Sequence, residues 1–185
     1  MVRVAAAAAL LAVSAKMALP TPWVPLTMQP LVVLLIGLSL PAGQAFAATA
    51  SYVAIGLAGA PVFATGGGLS YLARPTFGYL LGFVLAASVM ALLAGKREEI
   101  SVSRGMFLCL AGIALVYAVG VAWLYVVLRH VMGLTEFKGA PLTLRAVLVA
   151  GVLLPLPLDL AKAAMAALVA PRLRRAIDRG GKGRP

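Results

Sequence analysis

The chain has 185 residues, of which 63% are hydrophobic and only 11% charged, with a mean hydropathy of +1.03. An ordinary soluble domain is about a quarter charged, so this composition excludes one and indicates an integral membrane protein with room for about five to seven helices and short loops. The net charge of +11 does not indicate a nucleic-acid binder, because six of the sixteen basic residues fall in the last fourteen positions and others in the short loop KREEISVSR. Lys and Arg beside apolar spans mark the cytoplasmic face, and a basic tail attracts anionic membrane lipid.

Taken in chain order, the expected architecture is all-α with six transmembrane helices. The first is Val4–Leu19. Its start, MVRVAAAAALLAVSA, also has the grammar of a cleavable signal peptide, but the chain runs on into further membrane sequence, which favours retention. From Lys16 to Arg74 there are 57 residues without a formal charge. Pro30, Pro41 with Gly43, Gly59 with Pro61, and Gly66 to Gly68 punctuate them. They divide the stretch into a short span Pro30–Leu40 and a third span Gln44–Leu57, with Pro30 tolerated in a first turn. Pro75 to Gly95 is uncharged for 21 residues and Gly105 to Leu128 for 24, each long enough to cross. Ala146–Pro171 completes the six. Residues 1–185 then form one membrane domain, with 172–185 as a basic tail.

Six spans place both termini on one side. The inside set is Arg3, Lys96, Arg97, Arg104 and the six tail residues; the outside set is Lys16, Arg74, Arg129, Lys138 and Arg145. Ten against five obeys the positive-inside rule with both termini cytoplasmic. A single span over residues 30–57 would instead move the N-terminus outside.

The candidate site lies in the last span. Asp159 and Lys162, three residues apart, share a helical face. Each charge costs roughly 2.5–3.5 kcal/mol at bilayer depth on insertion scales, so such residues face a cavity or a partner. The pair suits a small polar solute; the alternative is a clamp that only joins helices. The outside loops PTPWVPLTMQP and LAGAPVFATGGGLSYLARPTFGY are rich in Gly and Pro, and irregular backbone at membrane depth is tolerated where it lines a cavity. Trp23, Phe63, Tyr71, Phe77 and Tyr79 either wall an apolar ring-shaped solute or form an interfacial belt. Cys109 is a mid-span apolar filler, and His130 an interfacial residue without a second His or Cys for a metal. Five acids, one His and one Cys supply no catalytic set, and no Walker pattern is present. The expectation is therefore a non-enzyme without metal or cofactor.

Three segments, VPLTMQPLVVLLIGLSLPAGQA, YVAIGLAGAPVFATGGGLSYLARPTFGYLLGF and LPLDLAKAAMAAL, resemble in order and spacing the BioY family. These are biotin-specific S components of energy-coupling-factor (ECF) vitamin transporters. The chain departs from the family pattern at Arg74, Phe77 and Leu158, where Gly is usual, and keeps Pro75, Thr76, Gly78 and Tyr79.

The resemblance implies a six-helix S-component fold. It implies outside capture of biotin, closed by the loop between spans one and two and the loop after span three, and transport driven by two ATPase subunits through a transmembrane coupling protein. It places ligand contacts on Gln29, Phe63, Gly66, Gly67, Thr76, Tyr79, Asp159 and Lys162, with Thr27 and the Ala64–Gly68 backbone as further candidates. It places docking on small residues of the first helix, here Ala5 and Ala9, at a spacing that lets helices pack closely. Asp159 can accept ureido N–H bonds and Lys162 can bind a carboxylate or carbonyl oxygen, so which end of biotin meets Lys162 stays open. A structural membrane protein with an Asp–Lys clamp, or an S component for another vitamin, are the competing readings.

Overall fold

Proline placement divides the N-terminal third. Pro30 stands in the first turn of its helix and Pro41 caps the next, positions where a missing N–H costs nothing. The computed structural model describes residues 1–21, 24–95, 100–137 and 140–182. Trp23, Lys96, Arg97, Lys138 and Arg184 lie outside the described residues.

Helix α1 (Val2–Lys16) leads into a two-stranded antiparallel hairpin, β1 (Ala18–Leu19) with β2 (Leu26–Thr27). Helices α2 (Gln29–Ser39) and α3 (Ala42–Leu57) follow. A loop with a 3-10 turn (Leu69–Ala73) then reaches α4 (Phe77–Ala94). Helix α5 (Val102–Val126) continues through a π turn, Val127–Val131. A second hairpin, β3 (Glu136–Phe137) with β4 (Ala140–Pro141), precedes α6 (Leu144–Leu148), a π turn (Val149–Leu153) and α7 (Leu156–Lys182). The last three form one broken helical stretch, so the described residues make a bundle of six helices.

Three stretches, Phe77–Ala94, Val102–Val131 and Leu144–Ile177, are long and apolar enough to cross a membrane. The first three helices are shorter, at 15, 11 and 16 residues. At about 1.5 Å per residue α2 rises only about 16 Å, roughly half of a ~30 Å hydrocarbon core. The first hairpin and the loop between α3 and α4 occupy the space this leaves at one end. The start of α1 and the last turns of α7 meet at the other, where Arg3 donates to Ile177 O at 2.7 Å.

The sixth stretch does not stop at Pro171 as the sequence suggested. The helix carries Pro171 in its interior and runs to Lys182, so the start of the basic tail is helical. Buried Arg174 donates to Gly95 O at the end of α4 and ties this extension to the bundle.

Small residues set the packing, as lipid-embedded helices require. Helices α4 and α5 are the most closely joined pair. A Cβ on Gly82 would lie 2.9 Å from Val116 Cα and 3.0 Å from Val116 O. Large apolar side chains such as Leu92, Phe107 and Leu168 point outward, while Gln29, Thr49, Asp159 and Lys162 are buried. That arrangement suits an apolar solvent.

Because backbone blocks the space beside Gly82, Gly82→Ala should force α4 and α5 apart and destabilise the protein by about 1–3 kcal/mol. A Cβ on Gly43 would meet nothing within 4 Å, so Gly43→Ala should leave stability unchanged or slightly raised. Thermal unfolding of the two variants in detergent checks the contrast.

Candidate functional site

The break in the sixth helical stretch builds the site. Pro155 has no N–H to give to Gly151 O, its partner four residues back. Tyr79 on α4 supplies the donor instead: its hydroxyl donates to Gly151 O at 2.9 Å. A Cβ on residue 151 would sit 2.5 Å from that hydroxyl, so glycine is what lets the ring approach. Helix α7 then restarts at Leu156 with Asp159 in its first turn, where the helix dipole favours a negative charge.

One turn on, Lys162 donates to Asp159 Oδ1 at 2.7 Å and to Thr27 O of the first hairpin, also at 2.7 Å. Tyr117 on α5 donates to Asp159 Oδ2 at 2.7 Å. Asp159 and Lys162 are only 4% and 6% exposed. Both oxygens of the carboxylate are engaged, and the ammonium ties α7 to the hairpin. Such satisfaction is what allows a buried ion pair to persist, since a lone buried charge costs several kcal/mol.

A second network holds the hairpin from the opposite side. Thr27 Oγ1 donates to Gln29 Oε1 at 3.2 Å, Gln29 Nε2 donates to the Tyr52 hydroxyl at 2.9 Å, and that hydroxyl donates to Val62 O at 3.1 Å. The hairpin, α2, α3 and the following loop are thereby joined through one buried glutamine.

These elements line a cavity of about 50 Å³, room for about one or two water molecules. Val24 to Thr27 form its hairpin side, Ala64, Tyr71 and Thr76 its loop side, and Tyr79, Phe83, Tyr117 and Asp159 its base and walls. Both loops expected to close the site therefore contribute to it.

Of the residues singled out in the sequence, Gln29, Thr76, Tyr79 and Asp159 line this cavity together. Lys162 lies behind Asp159 and does not reach the wall. Phe63, Gly66 and Gly67 are also outside the lining. Phe63 is fully buried, 5.5 Å from the Tyr52 ring and 4.5 Å from the Tyr71 ring, over Gly56, where a Cβ would collide with it. Gly66 has φ +118° and pairs with Phe63 through two backbone bonds. A side chain on Gly67 would run into Ala60 O. These three residues shape the loop rather than wall the cavity. Phe77 packs edge-on against Trp123, 5.5 Å away, and takes no part either.

Tyr117 and Tyr52 were missed in the sequence. The signal was present, since a tyrosine inside an apolar span must find a partner for its hydroxyl. Among the described residues no three His, Cys, Asp or Glu side chains come together as metal ligands would. Ala5 and Ala9 are exposed on α1. With Ala8 and Ala12 they line a groove of about 610 Å³ against Ser51 and Ile55 of α3.

Fold and geometry together define a helical bundle with long apolar spans and a small cavity, lined by one buried carboxylate, beneath two loops. The chain belongs to the BioY family, whose model matches residues 1–179. It is 41% identical over 129 residues to the "Probable biotin transporter BioY" of Lysinibacillus sphaericus, covering 70% of this chain and 66% of that protein. It is 40% identical over 116 residues to the "Biotin transporter BioY" of Thermotoga maritima, covering 61% and 66%. The matched region thus spans 66% of the length of each of these relatives. Among solved structures, the S-component for biotin from an ECF-type ABC transporter superposes with a TM-score of 0.76 over 94% of this chain and 89% of its own, at 18% identity. The fold is accordingly that of an ECF S component.

If the ion pair is held as described, removing one member should cost more than removing both. Asp159→Leu and Lys162→Met should each destabilise the protein by about 3–5 kcal/mol, while the double variant should recover a large part of that loss. Thermal or denaturant unfolding in detergent measures the coupling.

Proposed function

We propose that the chain captures biotin from the outer face of the cytoplasmic membrane and serves as the substrate-binding subunit of an ECF transporter. The observation that carries this reading is the Asp159 carboxylate, itself buried, which lines a small cavity from the first turn of α7 in a chain of the BioY family. A carboxylate is the natural acceptor for two ureido N–H groups, and charge-assisted bonds of this kind contribute about 1.5–3 kcal/mol each. Tyr79, Phe83 and Val116 give the bicyclic head apolar contact, at about 25 cal/mol per Å² buried. Gln29 and Thr76 add orienting polar groups.

Lys162 acts through others: it holds Asp159 in place and fastens Thr27, and so the hairpin, over the site. Ligand entry requires the hairpin to move, because the cavity of about 50 Å³ is far smaller than the 300 Å³ or more of ordinary ligand pockets.

This is binding chemistry, without bond making. Energy for uptake then comes from partner ATPase subunits through a transmembrane coupling protein that docks on the exposed alanines of α1. Both termini lie on the cytoplasmic side, where the basic end of α7 meets anionic lipid.

Two measurements test the reading. Purified protein should bind labelled biotin, and Asp159→Ala should weaken it at least tenfold, about 1.4 kcal/mol. Unchanged affinity in folded protein overturns the assignment. Ala5→Trp with Ala9→Trp should leave biotin binding intact and abolish uptake in cells that carry the coupling subunits, because bulk there prevents close helix packing.

A further inference from the structure

A second, wider chamber of about 640 Å³ adjoins the ion-pair cavity. Pro25, Ala64 and Thr76 line both, so the two meet across that rim. Their charges are opposite. The inner cavity presents the Asp159 carboxylate, while the charged residues of the outer chamber are Lys16 and Arg74.

Among the described residues neither cation has an acidic partner. Lys16, in the last turn of α1, donates to Phe63 O at 2.8 Å and holds the loop. Arg74 is exposed, and its backbone is fixed on both sides: its N–H donates to Tyr71 O at 3.0 Å and its carbonyl accepts from Trp123 Nε1 at 3.2 Å. Among the described residues no hydrogen bond occupies the guanidinium, which is thus presented from a braced turn at the chamber wall.

A solute that is polar and uncharged at one end and anionic at the other can enter such a pair of chambers in one sense only. Among the described residues its anionic end finds no free cation in the inner cavity, where Lys162 is already bound to Asp159 at 2.7 Å and to Thr27 O, and a further charge buried there would lack a partner. The same end is attracted to the outer chamber, where a guanidinium can grip a carboxylate with two parallel N–H bonds.

We infer that Arg74, with Lys16 adding positive potential, is a carboxylate subsite that selects ligands with a free acid on the tail and fixes their head-inward orientation. The inference rests on the biotin reading above. It also gives a role to a residue at which this chain departs from the family pattern. A cationic mouth further raises the rate of capture of anions, an effect that salt screens.

The test compares biotin with biotinamide, in which the tail acid is a neutral amide, by equilibrium binding to the purified full chain and to Arg74→Gln and Arg74→Lys. The wild type should prefer biotin at least tenfold. Arg74→Gln should cut that preference below threefold by weakening biotin alone, with biotinamide bound as before, which also shows that the variant is folded. Arg74→Lys should keep a preference above threefold. An unchanged preference in Arg74→Gln, or an equal loss for both ligands, overturns the subsite. Wild-type protein that binds both ligands without preference overturns it while sparing the biotin reading. Wild-type protein that binds neither overturns both.

Discussion

The rest of the site depends on one buried ion pair. Lys162 and Asp159 lie one turn apart on α7 and neutralise each other, but neither is satisfied by the other alone. The ammonium also needs the Thr27 carbonyl, and the carboxylate also needs the Tyr117 hydroxyl. These two further bonds bring the first hairpin and α5 to α7. A local charge pair in the sequence thus becomes a junction of three elements far apart in the chain, because an incompletely paired charge is so unfavourable in an apolar interior.

The pair can face a cavity because the sixth helical stretch is discontinuous. The π turn and Pro155 interrupt the backbone bonding of that stretch, and Tyr79 satisfies the freed Gly151 carbonyl. Helix α7 therefore has its own N-terminal turn within the bundle, with Asp159 on it. Discontinuous helices recur at midplane binding sites of transporters for this reason: a helix end offers partial charge and polar backbone where a continuous helix offers none. The short helix α2 complements the break, because it leaves depth for the hairpin and the loop to fold down as the roof.

The two chambers differ in size and in the charges that line them. The inner one is small and mostly apolar, with the Lys162-paired Asp159 carboxylate at its base; the outer is wide and lined by Lys16 and Arg74. Glycines at the end of α3 and in the loop that follows shape the outer chamber indirectly. Gly56 and Gly67 make room for the Phe63 ring and the Ala60 carbonyl, and that packing fixes the turn from which Arg74 projects. The loop is pinned by the buried Phe63 and by Lys16, whereas the hairpin is held by polar bonds that include one from Lys162.

The sequence alone determined the class, the helix count, the membrane setting and the placement of Asp159 and Lys162 on one face. Those follow from apolar run lengths, proline positions and the three-residue spacing, all of which are local. Gln29, Thr76 and Tyr79 were also legible as candidates, through the motifs they belong to. Only the tertiary structure decided that Lys162 stands behind the wall rather than in it, that Phe63, Gly66 and Gly67 build the loop, and that Tyr117 completes the carboxylate. It likewise decided that the last helix passes through Pro171, held by Arg174 against Gly95. The physical reason is the same in each case. Which face of a residue meets a cavity, and which donor satisfies a buried acceptor, depends on segments tens of residues away, and no local pattern encodes that distance.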